Sequence, residues 1–545
     1  MTALRTACAC FLLLLWLPGA AHADAFQDAL AGELLTGHAA SGGDETTSDL
    51  ATAASFYAQR DNAPLWVTGG AANERALLLA EILLRADEEG LDPADYGAEA
   101  IRALLPADRA DLLARLELRL TLGVMAYASD LASGRLEPAK VDPEVFVYPL
   151  DVDRAEVLQV ASALDATGLR AYLRGLAPQQ NEYRRLRQAL ADYRALAAAG
   201  GWPGVAGGET LKPGMRGPRV LELRRRLAAS GELPPTDFAQ ALDASLYDES
   251  LERAVRLFQD RHGLDIDGAV GKQTLAALNA TVERRIEQML LNMERRRWMP
   301  DDYGWRYLFV NIADFEVKLV HGPRTLYDGR VVVGAPYRRT PAFSDEVQYV
   351  EINPYWNVPP SIASKELLPQ IKKDPGYVAA KSFELFSDWG PGATALDPLA
   401  IDWSGVTRAT FPYKLRQKPG ADNALGRVKI VFPNHHNIYL HDTPARALFE
   451  RSRRAFSHGC IRLHEPLLLT ELLLQPQGGW PLARIEEVVA SGQRTVVPLA
   501  EPIPVHLVYV TAWVNKDGTV HFRDDVYGRD ARLAEALLGP EAVAQ

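Results

Sequence analysis

Residues 438–464 read IYLHDTPARALFERSRRAFSHGCIRLH, and the rest of the chain can be worked out from this stretch. In an extended strand, successive side chains point to opposite faces. Ile438 and Leu440 therefore face a core, and Tyr439 and His441 share the other face. The strand ends at Asp442-Thr443-Pro444. Farther on, Ser457-His458-Gly459-Cys460-Ile461-Arg462-Leu463-His464 sets a cysteine beside a glycine and between histidines. The chain has three cysteines, and the other two, Cys8 and Cys10, lie in an N-terminal apolar run. A single remaining thiol cannot close an intramolecular disulfide, so Cys460 reads as a nucleophile. A strand-end histidine is ordinarily satisfied by backbone, but beside Cys460 His441 becomes a candidate base.

The N-terminal run has the layout of an export signal. Arg5 precedes an apolar stretch at residues 7–17, Pro18-Gly19 breaks it, and Ala21-His22-Ala23 offers a small-x-small cleavage site. That run is shorter than the ~20 residues needed to span a bilayer. The expectation is a signal peptide at residues 1–23, a periplasmic protein and no transmembrane span after cleavage. An uncleaved anchor is the alternative.

With 545 residues the chain has room for several domains, and 48% hydrophobic residues suffice for real cores. A net charge of −11 excludes a domain-scale basic field, so no nucleic-acid partner is expected. Arg224-Arg225-Arg226 and Arg295-Arg296-Arg297 are read as solvated helix faces.

Helical periodicity fills residues 24–205, which are expected to form an α-helical scaffold domain without a catalytic role. Leu112, Leu116, Leu120 and Val124 make one apolar stripe, and similar patterns occur at Glu74–Leu84 and residues 155–173. Residues 41–47 read as a mobile connection. A second unit at 209–280 has one helix carrying Val220, Leu223 and Leu227. Another, capped by Asp248, carries Leu251, Val255 and Phe258 and stops near Gly263. Asp265 and Asp267 near Gly268 lack the twelve-residue calcium pattern and read as a turn into a short helix. Residues 281–304 form a linking helix with Val282, Ile286, Leu290 and Met293 in register.

From residue 306 the period changes to two, giving strands at 306–312 and 315–320, and a hairpin turns at Asn515-Lys516-Asp517-Gly518. The expected catalytic domain is β-rich and spans 305–500, with a Pro-, Gly- and Trp-containing insertion at 355–426 acting as a lid. Residues 501–545 complete the chain as a β-hairpin and tail. The fold class is thus multidomain α+β.

The string LKPGMRGPRVLELRRRLAASG, followed by YDESLERAVRLFQDRHGLDIDGAVGKQTLAALN, resembles the three-helix peptidoglycan-binding module of cell-wall enzymes. HDTP followed by SHGCIRL resembles the signature of the L,D-transpeptidases with a YkuD-type catalytic domain. The wider layout, with NPYWNVPPSIASKELLP, is similar to their large YcbB-like members. Smaller members often have glycine where this chain has Asp442.

The resemblance implies periplasmic cross-linking of peptidoglycan stem peptides in cell-wall biogenesis and cell shape. Cys460 attacks the donor amide, the terminal D-alanine leaves, and the thioester passes to an acceptor amine. It also implies acylation by carbapenems, no cofactor, and stem peptides, glycan and other cell-wall synthesis proteins as partners. His441 is the expected base, backbone N–H groups near Gly459 and Cys460 the oxyanion site, and Tyr439 an added donor. Arg462 orients the loop, binds a substrate carboxylate or makes an ion pair. Ser457 orients the loop, and His458 supports the site or packs the loop.

Three other readings compete. A metal site could use His435, His436, His441, His458, Cys460 and His464, although their spacings do not match zinc patterns. Water as acceptor would give an L,D-carboxypeptidase. A vestigial site would leave a cell-wall-binding protein, which the retained Tyr439, His441, Gly459, Cys460 and Arg462 argue against.

Overall fold

The computed structural model describes residues 18–40 and 44–539. The apolar run at 7–17, with Cys8 and Cys10, lies outside the described residues. The expected signal peptide overlaps the helix Pro18–Ala40, and the expected connection at 41–47 overlaps the helix Asp44–Ala58. Among the described residues no helix is long and apolar enough to cross a membrane.

The chain divides into two compact units. One comprises residues 1–135 and 149–179 and is built round the helix Ala110–Ser133. Leu116, Leu120 and Val124 are fully buried there, as are Leu113 and Met125 to within a few per cent. Burial on several faces makes this a central core helix rather than a surface one.

The other unit comprises residues 136–148 and 180–545. The scaffold expected over 24–205 is therefore divided differently. The helix Asn181–Ala198 belongs to this second unit, and the strand Val145–Phe146 pairs with Ala342–Ile352 of the catalytic sheet. The expected edge of the catalytic domain at 500 falls inside one long strand, Thr495–Val508.

That sheet runs in the order Val428–Val431, Leu440–His441, Ile461–Leu463, Arg324–Gly334, Glu316–His321, Arg306–Asn311, Thr495–Val508, Ala342–Ile352. Because Ala342–Ile352 also pairs with Val428–Val431, the path closes on itself as a barrel. Closure removes the unpaired edges that an open sheet leaves. Its interior is filled by alternate residues of each strand, among them Leu308, Val317, Val350, Ile430, Leu440 and Ile461, all with no exposed surface.

Between the strands Ala342–Ile352 and Val428–Val431 the chain leaves the barrel as the expected insertion. It has its own core of Val358, Leu368, Ile371, Leu385, Trp403 and Leu415. A helical stretch runs through Pro360–Ile362 and Leu368–Lys373, and Ala363–Leu367 between them widens to a single π-helical turn.

The segment at 209–280 folds round Val220, Leu223, Leu227, Leu251, Val255 and Phe258. Asp248 caps its helix by accepting from the Leu251 N–H at 2.9 Å. Asp267 accepts from the Ala269 N–H and from Gln259 Nε2, both at 2.8 Å, which is a turn. The segment rests on the C-terminal hairpin of Ala512–Val514 and Val520–Phe522, where Arg261 Nε donates to the Val520 carbonyl at 2.9 Å.

The arginine runs differ from expectation. Arg224, Arg226, Arg295, Arg296 and Arg297 are all buried. Each has a partner that offsets desolvation: Arg224 pairs with Asp248, Arg295 with Asp530, and Arg297 with Glu294. Arg296 donates to the Tyr303 hydroxyl at 2.9 Å. Arg226 lies 4.1 Å above the Trp202 ring, a stacking that suits the weakly hydrated guanidinium.

Candidate active site

Three adjacent barrel strands place the site. His441 stands opposite Lys429 on one neighbour and beside Arg462 on the other. Register partners share a face, so Lys429, His441 and Arg462 form a row across the sheet. The next row, Ile430, Leu440 and Ile461, points inward and is fully buried. Strand alternation thus turns an apolar core on one side into a row of ionisable groups on the other.

This row lines a cleft of about 940 Å³ that also takes in Tyr439, Ser457, His458, Gly459 and Cys460. The insertion contributes Tyr355, Trp356, Ile362, Glu366 and Trp389, and Glu144 and Phe146 are added from the segment that carries the strand Val145–Phe146.

The nucleophile loop is held from beneath. Ser457 Oγ donates to the Cys460 carbonyl at 2.5 Å and accepts from the Gly459 N–H at 3.1 Å. Gly459 has φ +114°, a conformation that glycine adopts without strain. Its carbonyl accepts from Thr340 Oγ1 at 2.6 Å, and Thr340 Oγ1 in turn accepts from the Gly334 N–H at 2.9 Å. Both bonds of Ser457 Oγ thus stay within the loop. The Gly459 N–H is already engaged, which leaves the Cys460 N–H and the Tyr439 hydroxyl as donors beside the thiol.

Cys460 is partly exposed and donates its thiol proton toward the Asn437 carbonyl at 3.5 Å. Burial pushes the thiol pKa up, while hydrogen bonds from Tyr439 and the charges of Lys429 and Arg462 pull it down. Among the described residues no hydrogen bond joins Cys460 to His441. His441 Nδ1 instead meets the Asp442 carbonyl at 2.5 Å; a carbonyl only accepts, so Nδ1 carries the hydrogen and Nε2 is left bare. Burial, reinforced by Arg462, pushes this imidazole down to about 3. His441 is accordingly held toward the neutral form, with no hydrogen on Nε2.

Asp442 is almost fully buried and well occupied. It accepts from Arg427 Nε at 2.8 Å and from Arg446 Nη2 at 2.7 Å. Two arginines so neutralise a carboxylate next to the candidate base.

Lys429 is a site residue that the sequence reading misses. Its Nζ sits 4.0 Å above the Tyr439 ring, and burial lowers its pKa while the nearby Glu351 and Cys460 charges raise it. A signal exists: a lysine inside the apolar run Val428-Lys429-Ile430-Val431 must face whatever lies opposite the core. Arg462 makes no ion pair among the described residues, and its buried Nε has no hydrogen-bond partner. Of the three roles open to it, the structural ion pair is absent.

His458 points away from the thiol toward the insertion and meets Glu366. The proposed metal cluster does not assemble. His436 packs on Phe146 and Phe343, and His464 on Phe449. Among the described residues no group of three or more potential ligands converges.

Comparison with known proteins gives three matches to family models. They are an L,D-transpeptidase catalytic domain at residues 306–473, a scaffold domain at 51–190, and a "Putative peptidoglycan binding domain" at 216–278. A Haemophilus influenzae protein named "Putative L,D-transpeptidase" is 36% identical over 277 residues, covering 50% of this chain and 55% of that protein. The chain spans about half the length of this curated relative. Solved L,D-transpeptidases from Stackebrandtia nassauensis and Xylanimonas cellulosilytica are 13% and 15% identical. The matches cover 58% and 56% of this chain and 99% of each of theirs. Their TM-scores, 0.21 and 0.17, are too low to support a detailed structural correspondence.

Proposed function

The chain carries an L,D-transpeptidase catalytic domain of the YkuD type, a peptidoglycan-binding domain and a helical scaffold domain, and from that premise we propose that it cross-links peptidoglycan stem peptides through a thioester on Cys460. The observation that carries this reading is that one thiol, Cys460, lines the same 940 Å³ cleft as His441, Lys429 and Arg462.

His441 Nε2 takes the Cys460 proton as sulfur attacks the donor amide, forming the S–C bond. The Cys460 N–H and the Tyr439 hydroxyl hold the developing oxyanion, and burial keeps that hydroxyl protonated. The C–N bond then breaks, His441 returns the proton to the departing D-alanine amine, and the thioester remains. An acceptor amine attacks it, His441 takes the amine proton, and the C–S bond breaks to restore the thiol. Lys429 and Arg462 supply positive charge to the thiolate, and the open Nε of Arg462 suits a substrate carboxylate. The apolar run before Pro18 and the cell-wall substrate support export to the periplasm. A thioester-forming thiol also suits acylation by a carbapenem, whose strained ring offers a similar carbonyl.

The test is incubation of purified protein with tetrapeptide muropeptides, with products read by mass spectrometry. Cross-linked dimers plus free D-alanine support the proposal. Tripeptides alone indicate a carboxypeptidase, and unchanged substrate indicates a binding protein.

A further inference from the structure

The insertion over the cleft touches the nucleophile loop at one polar point. Glu366, on the π-helical turn Ala363–Leu367, accepts at a single oxygen, Oε1, from His458 Nε2 and from Arg338 Nη1, both at 2.7 Å. A carboxylate only accepts, so the His458 hydrogen resides on Nε2 whatever the charge of its ring. His458 stands two residues before Cys460, and Arg338 two residues before Thr340, whose hydroxyl holds the Gly459 carbonyl. Both donors therefore belong to the two backbone segments that frame the thiol.

The remaining contacts give this point its weight. Among the described residues, every other hydrogen bond and ion pair of residues 356–417 stays inside the insertion or runs to its ends near Pro354 and Asn423. The insertion also has an apolar core separate from that of the barrel. It is thus a small folded body, joined to the barrel through the strands Ala342–Ile352 and Val428–Val431 and tied at the cleft by Glu366.

We infer that Glu366 is a positioning residue that latches the insertion to the nucleophile loop and so decides whether the thioester is attacked by an amine or by water. This rests on the transpeptidase reading. Both fates break the same C–S bond and restore the Cys460 thiol; an amine forms C–N and loses a proton, whereas water forms C–O and loses a proton. Only the closed insertion limits the access of bulk water to the acyl group. Each contact is part-exposed, so the latch is weak enough to open for substrate and product.

The test uses the full chain with tetrapeptide muropeptides, comparing wild type with Glu366→Leu, Glu366→Gln and Arg338→Met. Glu366→Leu should raise the tripeptide-to-dimer ratio about three- to tenfold, the scale of losing two charge-assisted hydrogen bonds at a part-exposed site. Glu366→Gln, whose amide oxygen still accepts, should change it less. Hydrogen exchange in residues 360–368 should quicken in the leucine variant. If that variant fails to fold, Arg338→Met carries the test and should raise the ratio in the same direction. An acyl-enzyme that forms normally, with unchanged ratio and exchange in the folded Glu366 and Arg338 variants, overturns the latch and leaves the transpeptidase reading standing. Absence of any acyl-enzyme in wild type overturns that reading first.

Discussion

At Cys460 and His441 burial disfavours both charged forms: it pushes the thiol up and holds the imidazole down at about 3. The resting pair is therefore neutral, and acylation should rise with pH toward the thiol's raised pKa. Protonation of His441 should cause no loss above about pH 4. The pH profile of acylation by meropenem, followed by intact mass, checks this. Replacing Lys429 by methionine removes a cation that lowers the thiol pKa, and should slow acylation at pH ~7.5 because less thiolate is present. His441 has a second consequence. Its folded pKa lies below the ordinary 6.5, so the unfolded chain binds the proton more readily. The stability His441 contributes is full above pH 6.5 and is lost as pH falls toward 3. Melting temperature against pH should be flatter in that window for His441→Gln. Cys460 and His441 are legible in the sequence because strand alternation and a lone thiol are local signals. The run around Lys429 signals only that it faces away from the core; its place beside His441 depends on which strands neighbour each other, which no local pattern encodes.

At the scale of elements, the nucleophile loop depends on Thr340, which follows the adjacent strand Arg324–Gly334 and bridges Gly334 and Gly459. Thr340→Val would leave the buried Gly334 N–H and Gly459 carbonyl without this partner. It should cost about 1–3 kcal/mol in urea unfolding and slow acylation by shifting the loop. The period-two strands at 306–312 and 315–320 and the hairpin turn at 515–518 are readable from sequence, as is the Asp248-capped helix of the 209–280 segment. The arginine runs are misread because helical spacing shows which residues share a face but not what covers that face. Here Trp202, Asp248, Glu294 and Asp530 cover it.

At the scale of the molecule, the peptidoglycan-binding segment is more than a tether. His262 stacks near Phe522 at 5.7 Å, and Arg523 donates to the Arg261 carbonyl at 2.9 Å. Deleting residues 209–280 should lower sacculus binding more than turnover of small muropeptides, because the segment lies away from the cleft. It should also lower the melting temperature by several degrees, since Phe522 loses its cover. A deletion variant as stable as the full chain would show the packing to be dispensable. The change from helical to two-residue period near residue 306 is readable from the sequence, whereas the strand Val145–Phe146 is not. Two residues carry no period, and their partner lies nearly two hundred residues away. The thioester on Cys460 is tested most directly by intact-protein and peptide mass spectrometry during turnover of tetrapeptide muropeptides. A tripeptide adduct on Cys460, free D-alanine and cross-linked dimers are expected, all missing in Cys460→Ala. Turnover at the wild-type rate in Cys460→Ala would contradict a thioester mechanism.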